Sequence, residues 1–214
     1  MTMNVADVRR EYERAGLSEG DLAADPIEQF HLWLDQAMAV DPREFTAMTL
    51  ATADGAGRPS ARVVLLKGVD ARGFVFYTHY GSRKGRELRE NPRAALVFYW
   101  AALDRQVRVE GAVEATSRAE SEAYFASRPL GSRLGAWASP QSRPISGREE
   151  IERLWSAAGE RFPDGQVPLP DDWGGFRVRP ETIEFWQGRP SRLHDRLLYS
   201  LLPAGGWKIE RLAP

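Results

Sequence analysis

Between Ala47 and His79 the chain makes three short β-compatible runs, Ala47 to Ala53, Ser60 to Lys67 and Phe74 to His79. Turns at Asp54-Gly55-Ala56-Gly57 and Val69-Asp70-Ala71-Arg72-Gly73 separate them. Such hairpin-like spacing predicts an antiparallel meander. Ala94 to Trp100 and Gln106 to Glu114 read as two further strands. Trp173 to Val178, Thr182 to Trp186, Arg192 to Tyr199 and Trp207 to Leu212 read as late ones. Helical patterns are interspersed. Asp25-Pro26 caps a helix running to about Val40, Ser82 to Glu90 is a short one, and Ser117 to Ser127, Ser132 to Ala138 and Gly147 to Phe162 follow. Without regular βαβ alternation, these elements predict an α+β antiparallel barrel or sandwich. No linker is long enough to force a division into two domains.

At 214 residues with 43% hydrophobic content, the chain has enough apolar mass for a sizeable core. Its 29 basic residues are balanced by 30 acidic ones, so no global basic field exists to hold nucleic acid and any anion site must be local. Cysteine is absent, which removes thiolate catalysis and cysteine metal sites. The histidines His31, His79 and His194 form no metal-ligand pattern. No apolar run approaches membrane-spanning length and no signal core opens the chain, so a soluble cytoplasmic protein is the expectation.

Cations gather at four places. In Trp186-Gln187-Gly188-Arg189-Pro190-Ser191-Arg192-Leu193-His194-Asp195-Arg196, an extended backbone after Pro190 puts Arg192, His194 and Arg196 on one face. Two fixed cations flanking an imidazole suit an anion or an electron-rich ring, though a solvated edge strand carries the same pattern. In Arg62-Val63-Val64-Leu65-Leu66-Lys67, an unbroken strand sends Arg62 and Lys67 to opposite faces, where they can hold two different anions. In Tyr77-Thr78-His79-Tyr80-Gly81-Ser82-Arg83-Lys84, a strand ends, Ser82 can cap a helix, and Arg83 and Lys84 occupy a first turn that normally favours acids. A phosphate held at that turn explains the violation. Tyr124 and Arg128, four apart, share a helix face, and Ser132 opens the next turn. Gln106, Gln141 and Ser142 add neutral hydrogen bonds. Several anion sites without an evident nucleophile suit a protein that leaves the chemistry to a phosphorylated cofactor.

The chain resembles the pyridoxine (pyridoxamine) 5′-phosphate oxidase family over nearly its whole length. The resemblance rests on Arg62 to Lys67, Phe76-Tyr77-Thr78, Gly81-Ser82-Arg83-Lys84, Arg105-Gln106-Val107, Tyr124-Phe125 with Ser127-Arg128-Pro129, and Gly135-Ala136-Trp137 with Gln141-Ser142. Farther on it rests on Pro168-Leu169-Pro170, Trp173 to Arg177, Glu184 to Gly188, Arg192 to Arg196, and the ending Trp207 to Pro214. It implies one FMN-binding split β-barrel domain over 1–214, with a mobile segment at 1–20 and dimerisation and active-site strands at 170–214.

The resemblance also implies a homodimer with FMN at the subunit interface. FMN would contact Arg62, Val63, Val64, Leu65, Leu66, Lys67, Tyr77, Thr78, Arg83, Lys84 and Gln106, and the partner subunit would add Gln141, Ser142, Trp186 and Arg196. Lys67, Tyr124, Arg128 and Ser132 would hold the substrate phosphate. Arg192, Leu193 and His194 would hold the pyridine ring, with Arg192 and His194 catalytic, and Arg9, Arg10, Glu11 and Tyr12 would close over it. No metal is implied. The implied reaction takes a hydride equivalent from C4′ of pyridoxine or pyridoxamine 5′-phosphate to FMN, with O2 as acceptor and H2O2 as product. Two other readings stay open: a related FMN oxidase of another ring, such as a phenazine precursor, and a non-catalytic flavin or pyridoxal-phosphate binder.

Overall fold

The computed structural model describes residue 12 and residues 16–214, and in it the helices begin where short polar side chains can cap them. Helix α1 (Pro26–Val40) starts at Asp25, whose carboxylate accepts from the Ile27 N–H at 2.7 Å, with Pro26 in the first turn. Helix α2 (Arg83–Glu90) starts at Ser82, whose Oγ accepts from the Gly85 N–H. Helix α3 (Arg118–Ser127) starts at Ser117, which forms a capping box with Glu120. Helices α4 (Leu130–Ala138) and α5 (Arg148–Arg161) follow.

The strands are β1 (Ala47–Ala53), β2 (Pro59–Leu65), β3 (Gly68–Asp70), β4 (Gly73–His79), β5 (Arg93–Trp100), β6 (Arg105–Ala115), β7 (Trp173–Gln187), β8 (Asp195–Leu201) and β9 (Trp207–Arg211). Their order in the sheet is β2-β1-β5-β6-β7-β4-β3, with β8 on β7 and β9 on β8. This is the antiparallel split barrel that the resemblance implies. The meander expected from the hairpin spacing does not form: β1 and β2 are neighbours, but β4 lies towards the other end of the order from β2.

The chain packs as two compact units. The first holds the described residues up to Thr49, with Leu96–Glu110 and Pro180–Pro214. Its core follows from the apolar stripe of α1, where Ile27, Phe30, Trp33 and Ala37 are buried. Phe30 meets Phe98 at 4.9 Å between centroids, Trp33 meets Phe185 at 5.1 Å, and Phe185 meets Tyr199 at 5.6 Å. The Tyr199 hydroxyl, buried with its ring, donates to the Ala23 carbonyl at 2.7 Å, so no polar atom is stranded there. The second unit holds Leu50–Ala95 and Gly111–Arg179. Phe125, Leu134, Ala138, Ala158, Leu169 and Trp173 form its helical core. There β4 pairs antiparallel with β7, with Tyr77 opposite Gly175.

Four local expectations are corrected. The segment 69–73, read as a turn, contributes to β3, which pairs Gly68 with Val75. Strand β2 ends at Leu65, so Lys67 lies beyond it and the opposite-face relation of Arg62 and Lys67 does not hold along one strand. The two strands read at 173–178 and 182–186 are one. Pro180 falls between the pairing with β4, which ends at Val178, and that with β8, which begins at Thr182, where its missing N–H removes no bond of either ladder. Strand β8 starts at Asp195 rather than Arg192, because Pro190–Arg192 is a 3₁₀ turn with Ser191 and Arg192 at φ 57° and 62°. Arg192 and His194 therefore do not alternate in register with Arg196.

Candidate active site

The second unit contains a cleft of about 290 Å³ lined by eleven residues. Ten of them were singled out from sequence: Val63, Val64, Leu65, Lys67, Tyr77, Thr78, Lys84, Tyr124, Arg128 and Gln141; the eleventh is Trp173. The residues come together because β2 and the turn after it supply one wall, the end of β4 and the start of α2 a second, and α3 a third. Tyr77 and Tyr124 stack at 4.0 Å between centroids, Trp173 lies parallel to both, 5.6 Å from Tyr77 and 6.2 Å from Tyr124, and the Arg128 guanidinium sits 4.7 Å from the Trp173 ring centre. Burial raises the pKa of both tyrosines, so they stay protonated donors.

The cleft's electrostatics favour an anion. It is lined by Lys67, Lys84 and Arg128 and by no carboxylate. The Arg128 Nη1 atom is buried and has no hydrogen-bond partner, and a stranded donor of that kind calls for an acceptor. Burial lowers the Arg128 pKa, with Tyr124 opposing, and burial followed by the Arg62 charge lowers that of Lys84, with Glu87 opposing. The Lys84 Nζ donates to Thr78 Oγ1 at 3.1 Å and to Gln141 Oε1 at 3.0 Å. Gln141, which the resemblance assigns to the partner subunit, thus bonds to residues of its own chain. A larger cavity of about 630 Å³ lies against His79, Trp137 and Asp172 in the same unit. It sets Arg143 against two carboxylates, Asp171 and Asp172, and does not favour an anion.

Beside Lys84, Arg62 and Arg83 converge on one residue that sequence reasoning missed, Glu87. Its carboxylate accepts from Arg83 Nε at 2.7 Å, Arg62 Nη2 at 3.1 Å, and the Thr52 and Ser60 hydroxyls at 2.6 Å each. Burial would raise its pKa, but the hydrogen bonds from Ser60, Thr52, Arg83 and Arg62 outweigh it and hold the value down at about 2. The basic first turn of α2 is thus answered in part by this internal acid. The readable signal was the Arg83–Glu87 spacing of four.

A second group of candidates lies in the first unit. His194 meets Trp186 at 4.6 Å between ring centroids, and Tyr12 stands edge-on to both, at 5.4 Å from His194 and 5.7 Å from Trp186. Gly188 makes room for Tyr12, since a Cβ there would lie 2.6 Å from its ring. The Arg189 N–H donates to His194 Nδ1 at 3.1 Å. In the neutral ring the proton is therefore on Nε2. Burial first, then the Arg192 charge, lower the His194 pKa, with Asp195 opposing. Arg192 and Leu193 are exposed. Arg196 is held by the buried Glu184 through bonds of 2.8 and 3.1 Å.

Gln106 is half-buried on β6, Ser142 is exposed with φ 67°, Leu66 is buried, and Ser132 is exposed in the first turn of α4, outside the cleft lining. Arg9, Arg10 and Glu11 lie outside the described residues. No group of three or more metal-ligating side chains occurs among the described residues, and no helix among them is long and apolar enough to cross a membrane.

Two family models match the chain. "Pyridoxamine 5′-phosphate oxidase" covers residues 34–187, and "Pyridoxine 5′-phosphate oxidase C-terminal dimerisation region" covers 173–214. The chain is 57% identical to the pyridoxine/pyridoxamine 5′-phosphate oxidase of Pseudomonas putida, with all of both chains covered. It is 59% identical to that of Rubrobacter xylanophilus, with 99% of this chain and 97% of the relative covered. Among solved structures, PhzG from Burkholderia lata, in complex with tetrahydrophenazine-1-carboxylic acid, superposes with a TM-score of 0.88 at 31% identity, covering 96% of this chain and all of that one. A pyridoxamine 5′-phosphate oxidase-related, FMN-binding protein from Nostoc punctiforme shares the fold, with a TM-score of 0.71 at 19% identity, covering 90% of this chain and all of that one. Full-length relatives at this identity, two family models spanning the cleft and the C-terminal strands, and a carboxylate-free cationic cleft agree: the chain belongs to the pyridoxine/pyridoxamine 5′-phosphate oxidase family and is an FMN-dependent oxidoreductase.

Proposed function

We propose that the protein oxidises pyridoxine 5′-phosphate and pyridoxamine 5′-phosphate to pyridoxal 5′-phosphate, using O2 and releasing H2O2, as a homodimer with FMN at the subunit interface. The observation that carries this reading is the presence of two adjoining cation groups in one unit. Lys67, Lys84 and Arg128 line the cleft, where Nη1 of Arg128 is the stranded donor, and Arg62 and Arg83 meet on Glu87 beside Lys84, which borders both groups. A phosphorylated cofactor and a phosphorylated substrate need two such groups.

When bound, FMN supplies the ring that accepts a hydride from the substrate's C4′ and that O2 returns to its oxidised state. The protein's own part is binding and orientation. Arg62, Arg83, Lys84 and Thr78 hold the cofactor phosphate, while Tyr77, Gln106, Gln141, Ser142, Trp186 and Arg196 bound the rest of it. Val63, Val64 and Leu65 of β2, with Leu66 just past its end, supply the backbone and apolar wall against which it lies. Lys67, Tyr124 and Arg128, with Ser132, hold the substrate phosphate and so fix C4′ in place. Arg192, Leu193 and His194 hold the pyridine ring, and the neutral His194 offers its Nε2 proton to a substrate oxygen. Tyr12, with Arg9, Arg10 and Glu11, covers it, so residues 1–20 act as the closing segment. Residues 170–214 supply dimerisation and active-site strands within one functional domain.

The test is the visible spectrum of the purified holoenzyme without oxygen. Pyridoxine 5′-phosphate is expected to bleach the flavin, while pyridoxine at equal concentration leaves it oxidised. The likeness to PhzG favours a second reading, oxidation of a reduced phenazine carboxylic acid, which needs no substrate phosphate site. Bleaching by such a phenazine and not by pyridoxine 5′-phosphate would decide for it.

A pH dependence follows from His194. Its pKa lies below the ordinary 6.5, so the ring is neutral at pH 7 and gains charge only as pH falls through the lowered value. Turnover is expected to fall on the acid side with an apparent pKa below 6.5, and the limb should vanish in His194→Asn. A pH–rate profile checks this, and an acid limb retained in His194→Asn would refute it.

A further inference from the structure

We propose that Glu87 is a positioning residue for the FMN phosphate, its buried carboxylate holding the guanidiniums of Arg62 and Arg83 in one arrangement beside Lys84. The inference rests on the cofactor reading above and deepens it.

Glu87 is only 4% exposed, and both its oxygens are committed. Oε1 takes Arg83 Nε, while Oε2 takes Thr52, Ser60 and Arg62. It therefore offers nothing to a ligand directly and acts through the two arginines. Arg62 is also tied to Thr52 and Ser60 by hydrogen bonds from Nη1 and Nη2, so its guanidinium has one orientation. Without the carboxylate, Arg62, Arg83 and Lys84 would repel one another and turn toward water, and a phosphate would have to gather them again on binding. The charge count supports the same role. Three cations and one carboxylate leave two positive charges, the complement of a phosphate monoester dianion. A supporting residue of this kind, which fixes groups that do touch the ligand, typically matters as much as a weak direct contact.

The test compares FMN with riboflavin, which lacks the phosphate, on the full-length protein stripped of flavin, with Kd read from the quenching of flavin fluorescence. Glu87→Gln keeps the shape and loses the charge. It is expected to weaken FMN about tenfold or more and leave the riboflavin Kd unchanged. Ser60→Ala, a milder change at a half-exposed strand position, is expected to weaken FMN about threefold with the same selectivity, and it carries the test if Glu87→Gln does not fold. An unchanged FMN-to-riboflavin ratio in the folded variants overturns the proposal, as does an equal loss for both flavins, which is the mark of a merely structural role. If the wild-type protein itself binds FMN no better than riboflavin, the phosphate cradle assigned to the cofactor fails instead, and the two failures are distinguishable.

Discussion

Arg192→Ala is expected to lower kcat about a hundredfold or more with the flavin-to-protein ratio of the purified enzyme unchanged. The side chain is exposed, and no hydrogen-bond partner is assigned to it among the described residues, so its removal strands no buried group. Arginine and alanine face the same penalty at φ 62°, so the backbone has no new reason to move. What disappears is a fixed cation in a turn whose neighbour is His194. That charge is one cause of the lowered His194 pKa, so the acid limb of the pH profile should shift upward toward 6.5 in the variant. Steady-state kinetics across pH read both effects. An unchanged kcat would remove Arg192 from the reaction, and a parallel loss of flavin would move its role to cofactor binding.

Gly85→Ala sets two expectations against each other. Helix propensity favours alanine within α2 by about 1 kcal/mol. A Cβ at residue 85, however, would lie 2.3 Å from the Tyr80 carbonyl oxygen and 2.7 Å from its carbonyl carbon, and a backbone cannot rotate aside as a side chain can. Overpacking of this kind costs about 1–3 kcal/mol, and this is a severe instance. We expect a net loss of about 2 kcal/mol, seen as a melting temperature lowered by roughly 4–8 °C at fixed protein concentration. Because Ser82 caps α2 through the Gly85 N–H, the same shift should weaken FMN binding. A raised melting temperature would show that the helix moves away from Tyr80 more freely than the packing indicates.

The parts of the molecule legible in the sequence are those written in local chemistry. Asp25, Ser82 and Ser117 each cap a helix whose first turn lies within three residues, so the chain's own order announces them. The short runs between glycine turns place β1, β2 and β4 to within one or two residues. Three-residue β3 escaped because its pairing with Val75 and Phe74 lies next to a turn whose composition dominates the window. The break read between Val178 and Thr182 was false, since whether Pro180 interrupts a strand depends on which edge needs its N–H, a tertiary matter. At Arg192 the error ran the other way. Nothing in Ser191 or Arg192 advertises left-handed backbone, which usually falls to glycine or asparagine. The cleft residues were legible largely through resemblance. Glu87 was not, because its partners Thr52 and Ser60 lie 35 and 27 residues away and only folding brings them within reach.

The turn at 189–194 ties acid–base chemistry to shape. Two successive non-glycine residues in left-handed backbone hold conformational energy of the order of 1–2 kcal/mol each. Two hooks keep it in place, the Leu193 N–H on the Pro190 carbonyl and the Arg189 N–H on His194 Nδ1. A proton arriving on Nδ1 abolishes the second hook, because the nitrogen then becomes a donor facing another donor. Charging the imidazole and relaxing the loop are therefore one thermodynamic event, and anything that stabilises the folded-back loop, such as a ring seated against Trp186 and Tyr12, also keeps that proton away.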